Sequence, residues 1–152
     1  MEEINQKIYD KAVQLLAIRM HSTGELFDKL KRYGFAAEEI RAVLSELESL
    51  KFLDDKKYAE IFVENLKRYK DFGYFGIKAK LLKHKIPSDL AALALGEFFS
   101  TEDEIQIAKR LVAKLRCLGK SEFEKLARAL SNRGFRSEAT KTALEHKDNS
   151  NA

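Results

Sequence analysis

Apolar side chains recur along the first part of the chain at intervals of three and four, the spacing of an amphipathic helix and not of a strand. Ile4, Ile8, Ala12, Leu15, Leu16 and Ile18 predict a helix from Ile4 to about Met20. Ser22 and Glu25 follow in the order of a capping box, in which each side chain bonds the other residue's free backbone N–H, so a new helix starts there. That helix carries Leu26, Phe27 and Leu30 and stops at Gly34, which suits the left-handed position after a helix end. A third runs from about Ala37 to about Lys51 with Ile40, Val43, Leu44 and Leu47 on one face.

The same order returns one hundred residues later. Leu26, Leu30, Gly34, Phe35 and Leu44 fall on Leu126, Leu130, Gly134, Phe135 and Leu144. Thr101-x-x-Glu104 reads as a capping box for a long helix with Ile105, Ala108, Leu111, Val112 and Leu115, and Ser121-x-x-Glu124 as one for a shorter helix with Phe123, Leu126 and Leu130, closed at Gly134. A last helix runs from about Ser137 through Ala139, Ala143 and Leu144. Between these copies lies a more altered one. Asp54 or Asp55 caps a helix through Tyr58, Ala59, Ile61, Phe62, Val63 and Leu66; Gly73 and Gly76 form a joint; Ile77, Leu81 and Leu82 make a second helix; and Pro87 and Ser88 restart the chain into a third with Leu90, Leu93 and Leu95. Lys85-Ile86 stands where the outer copies have Gly-Phe. The expected fold is therefore all-α, three tandem three-helix repeats (1–53, 54–100 and 101–147) forming an elongated, curved body, with 148–152 as a disordered tail.

Composition agrees with long helices and short joints, since 152 residues include seven Gly and a single Pro. No window is apolar enough to span a membrane, the first ten residues lack the features of a signal peptide, and Cys117 has no partner for a disulfide. These features predict a cytoplasmic protein. The net charge of +4 is unevenly spread. Residues 1–60 hold ten Lys/Arg against twelve Asp/Glu, leaving eighteen against twelve for the remainder, so an anionic partner is expected for the later part.

Catalytic motifs are not found. His21, His84 and His146 stand at helix ends or in a basic stretch, where histidine commonly complements the helix dipole, and Cys117 has no evident base beside it. Asp54-Asp55 precedes a helix, so capping accounts for it better than a magnesium site. Gly73-Tyr74-Phe75-Gly76 follows a helix instead of a strand, unlike a phosphate loop. Neither cofactor nor metal is expected, and the protein is expected to work by binding.

The densest charge lies between Lys67 and Lys85, where Lys67, Arg68, Lys70, Lys78, Lys80, Lys83 and Lys85 face the single acid Asp71. Lys109, Arg110, Lys114, Arg116 and Lys120 make a second basic cluster, and Arg128, Arg133 and Arg136 a third. Such groups can neutralise phosphates, and interleaved aromatics can stack on unpaired bases. Core packing is the expected role of Phe72 and Phe75. The candidate contacts are Lys67, Arg68, Lys70, Lys78, Lys80, Lys83, Lys109 and Arg110.

In order and spacing, the chain resembles the RecX family of bacterial recombination regulators. The resemblance rests on Ala12–Arg19, His21-Ser22-x-x-Glu25-Leu26, Lys29-Leu30, Gly34-Phe35, Phe52-Leu53-Asp54-Asp55, Tyr58-Ala59, Phe62-Val63, Gly73, Ile77-Lys78 and Leu81, and covers about residues 10–145. It implies three tandem three-helix bundles and, as partner, the RecA recombinase filament on single-stranded DNA, whose strand exchange, ATP hydrolysis and co-protease activity such proteins usually inhibit. A monomer is expected. The alternative is a stand-alone single-stranded nucleic-acid-binding protein with no RecA partner. His84-Lys85-Ile86 departs from the family's usual Lys-Gly-Ile, so that joint is expected to be built differently.

Overall fold

A computed structural model describes residues 3–145; the expected tail lies outside them. The helices among these residues are α1 (Gln6–Ile18), α2 (Thr23–Arg32), α3 (Ala37–Ser49), α4 (Asp55–Tyr69), α5 (Tyr74–Lys83), α6 (Ser88–Phe98), α7 (Thr101–Cys117), α8 (Phe123–Asn132) and α9 (Ser137–Glu145). They pack most extensively within three successive triplets, α1–α3, α4–α6 and α7–α9.

Local chemistry sets most of the boundaries. Asn5 caps α1, Ser22 and Glu25 close the expected capping box on α2, and Asp54 caps α4 through the Lys57 N–H. Two other starts differ from the pattern. α7 begins one residue early because Ser100, not Thr101, is the cap, and Asp103 completes its box. Glu104 is thereby released and turns into the interior. α8 begins at Phe123 with Glu122 before it and no side-chain cap bond, so Ser121 lies too far back to cap. Gly76 is not part of a joint but a residue within α5; Gly73 alone precedes that helix.

The three ten-residue helices α2, α5 and α8, the short middle helix of each triplet, end alike. Gly34, Lys85 and Gly134 all take left-handed backbone angles, with φ of 93°, 65° and 81°. At each, the residue's own N–H bonds the carbonyl three back and the next N–H bonds the carbonyl five back: Lys31 and Leu30, Leu82 and Leu81, Ser131 and Leu130. This is the Schellman arrangement. The expectation of a different joint at Lys85 is therefore corrected. The lysine adopts the glycine conformation, because the bonds and the burial of Ile86 outweigh its steric cost of about 1 kcal/mol.

Two separate apolar clusters form. The first lies within the first triplet and includes Ile8, Leu26, Leu30, Ile40 and Leu47, with Leu53 closing it. The second runs without a break through the other two triplets, from Tyr58 through Ile77, Leu81 and Leu111 to Leu126 and Leu130. Ile18 falls outside both and is 76% exposed.

Successive triplets meet by a repeated contact, the start of one short helix against the end of the next. At the first seam the Ser22 hydroxyl donates to the His84 carbonyl at 2.6 Å, the Thr23 N–H donates to Asp55 at 2.8 Å, and Glu25 pairs with His84 Nδ1 at 3.2 Å. At the second, the Gly73 N–H donates to the Arg133 carbonyl at 3.0 Å and the Phe75 N–H to the Gly134 carbonyl at 2.9 Å. His84 and Arg133 hold equivalent places, each being the C-cap of its helix. α5 therefore touches the first triplet with its C-terminal end and the third with its N-terminal end, about 15 Å apart along a ten-residue helix. The triplets stand in series, and the body is elongated.

Candidate nucleic-acid and partner interface

The basic residues divide into those consumed by the fold and those left over. Arg110 bonds Asp71 at 2.7 Å and reaches the Lys70 and Lys67 carbonyls at 2.9 and 3.4 Å, tying the end of α4 to α7. Lys114 bonds the other Asp71 oxygen at 2.6 Å. Burial alone would raise the Asp71 carboxyl; the hydrogen bonds and charges of Lys114 and Arg110 outweigh it and hold the group below its ordinary range. Lys67 donates to the Phe98 carbonyl at 2.9 Å and to Asp103 and Glu64 at 3.3 Å. Partial burial would lower its pKa, but those two carboxylates raise it. Lys80 lies 4.4 Å above the Phe72 ring, and Arg133 lies 5.4 Å from the same ring. Phe72 packs against the second core as the sequence suggests.

Arg68, Lys70, Lys78, Lys83 and Lys109 have no side-chain ion pair among the described residues. Arg68, Lys70 and Lys83 are exposed, whereas Lys78 and Lys109 are half-buried. The eight candidates thus occupy three elements. Lys67, Arg68 and Lys70 at the end of α4 meet Arg110, with Lys109 beside it on α7, while Lys78, Lys80 and Lys83 ride on α5.

Residues assigned other roles from the sequence hold the second seam. Glu104, 1% exposed, accepts from the Tyr74 N–H at 2.8 Å, the Arg136 N–H at 3.1 Å and Arg136 Nε at 2.7 Å. The Arg136 guanidinium also covers the Tyr74 ring at 4.4 Å. In the sequence Glu104 sits in an acidic first turn and reads as the partner of Thr101 in a capping box, and nothing there marks its buried role. Asp71 did have a signal, as the lone acid among seven bases. Phe75 departs from expectation: it is 57% exposed and does not belong to the core.

Comparison with known proteins places this architecture. The family model described as the first three-helix domain of RecX matches residues 9–47, and that of the second three-helix domain matches residues 54–95. The regulatory protein RecX of Prosthecochloris aestuarii is 34% identical over 140 residues, spanning 92% of this chain and 93% of the relative. This chain belongs to the RecX family. The regulatory protein RecX of Streptococcus gordonii is 31% identical and matches 97% of this chain, which spans only 59% of that longer relative. The crystal structure of RecX from Lactobacillus salivarius superposes with a TM-score of 0.84 at 26% identity, covering 92% of this chain and 94% of that one. Members of this family carry a regulatory name, so the five unpaired cations belong to a RecX regulatory protein. Among the described residues no helix is long and apolar enough to cross a membrane, and no three His, Cys, Asp or Glu side chains gather as a metal site.

Proposed function

We propose that this RecX protein binds the RecA recombinase filament on single-stranded DNA and inhibits its strand exchange, ATP hydrolysis and co-protease activity. The reading combines the family membership with one observation, the five cations on and beside α4, α5 and α7 that have no ion pair among the described residues. Among the described residues Arg68, Lys70, Lys78, Lys83 and Lys109 have no ion-pair partner, and unpaired cations on a folded surface are what a polyphosphate strand neutralises. A body built in series suits an extended partner, since each triplet adds contact area without wrapping back on the others. The test is RecA-driven strand exchange with and without the protein, beside retention of the protein on filaments assembled on single-stranded DNA. Inhibition with retention is expected. Failure to be retained at low salt removes the RecA partner from the reading.

The same unpaired cations favour a second reading, a stand-alone single-stranded nucleic-acid-binding protein. It predicts tight binding to bare single strands, with affinity falling by a slope of roughly −3 to −4 in log salt if all five cations contact phosphates. Charge reversal at Lys78 and Lys83 weakens filament and bare-strand binding alike under this reading. If the filament is the true partner, RecA itself adds affinity that the reversal leaves in place.

A further inference from the structure

An open cleft of about 590 Å³ spans the second seam, and Phe75 and Phe123 both line it. Phe75 is 57% exposed and Phe123 is 63% exposed. Single exposed apolar residues are ordinary, but two phenylalanines lining one cleft are not scattered. Phe75 is held in place: its N–H is bonded to the Gly134 carbonyl, and its ring meets Tyr74 edge-on with centroids 5.3 Å apart. Phe135, 5% exposed, also lines the cleft. The charged side chains on the lining are Arg136 and Lys141, with Ser131, Ser137 and Thr140 adding hydroxyls, and no carboxylate contributes.

The cations on α5 continue this site. Phe75, Lys78, Ala79, Leu82 and Lys83 recur at i, i+3, i+4, i+7 and i+8, on the side of α5 opposite the buried Ile77 and Leu81. The unpaired Lys78 and Lys83 therefore lie along the face that leads to the cleft. Lys141 is exposed and has no ion pair among the described residues. An apolar peptide would gain nothing from cations without acids. A strand whose bases have aromatic faces and whose links are anionic uses every group present.

We propose that the Phe75–Phe123 cleft is a stacking site for an unpaired base of a single-stranded nucleic acid, with Lys141, Lys78 and Lys83 on its flanking phosphates. This deepens the proposed function and rests on its nucleic-acid arm. Because the chain contains no tryptophan, Phe123→Trp installs a single reporter in the full-length protein. Its fluorescence is followed during titration with an oligothymidylate of about twelve nucleotides, a usual site size, and with an abasic strand of equal length and charge. Anisotropy of labelled strands gives the affinity in parallel. The expected result is quenching by oligothymidylate alone, and binding of it weakened roughly five- to hundred-fold by Phe75→Ala or Phe123→Ala. Equal affinity for both strands, with no quenching and no effect of either alanine, overturns the stacking site while leaving charge-driven binding intact. If neither strand binds and filaments do not retain the protein, the proposed function falls and the site falls with it.

Discussion

Glu104 offers the sharpest test of how the second seam is held. Its carboxylate is 1% exposed and serves three donors, two of them backbone N–H groups from different triplets. Glu104→Ala removes the acceptor and leaves the Tyr74 and Arg136 N–H groups without a partner, each costing about 1 kcal/mol or more when buried. It also strands the Arg136 guanidinium. Breaking a fully buried pair costs about 3–5 kcal/mol, but that side chain is 35% exposed and can rehydrate in part, so the lower end applies. The expected total is about 4–5 kcal/mol. Glu104→Gln keeps one oxygen for the two N–H groups but turns an amide NH2 against Arg136 Nε–H, so the charge-assisted bond is lost and two donors are opposed, about 2–3 kcal/mol. Urea unfolding followed by helical circular dichroism gives both values from the midpoint at constant slope. If alanine costs less than about 1 kcal/mol, or glutamine costs as much as alanine, the carboxylate is not the clamp.

Gly34 and Gly134 occupy the same repeat position, yet alanine should affect them unequally. At Gly34 only the left-handed angle resists, about 1 kcal/mol, whereas at Gly134 a Cβ would also overlap the Gly76 backbone, so several kcal/mol and a visibly lower Tm are expected. Lys51 holds φ of 66° at an exposed site, and Lys51→Gly should stabilise by up to about 1 kcal/mol, raising Tm by about 2–4 °C in a thermal scan. His21, 3% exposed, lies 2.8 Å from Lys29 Nζ and 3.0 Å from the Arg19 carbonyl; burial, with the Arg19 and Lys29 charges, outweighs the bond to that carbonyl and lowers its pKa below 6.5. The folded state then binds fewer protons than the unfolded chain, so stability is full above about pH 6.5 and falls as pH drops below it. His21→Gln should flatten that part of the stability–pH curve. Arg110→Glu should lower stability through Asp71, while Lys83→Glu leaves Tm within about 1 °C.

Much of the fold was legible because it is written in local patterns. Ser22 and Glu25 close their box using atoms three residues apart, and Gly134 ends α8 with bonds reaching back no more than five. The errors arose where a local pattern was ambiguous and a distant residue decided. Ser100-x-x-Asp103 and Thr101-x-x-Glu104 are overlapping versions of one motif. Glu104 is drawn inward by Tyr74 and Arg136, some thirty residues away on either side, and no short window contains that demand. The candidate interface was less legible for the same reason. Lys67 and Arg110 look like free cations until Asp103 and Asp71 are folded against them. Phe75 looks like core because hydrophobicity marks burial only on average.

The two seams share a plan but not a material. The first joins separate apolar clusters largely through hydroxyl, carboxylate and imidazole groups, all of which water can satisfy if the contact opens. The second is backed by a continuous oily interior that water cannot replace. The contact expected to open at lower cost is thus the one between the first triplet and the other two.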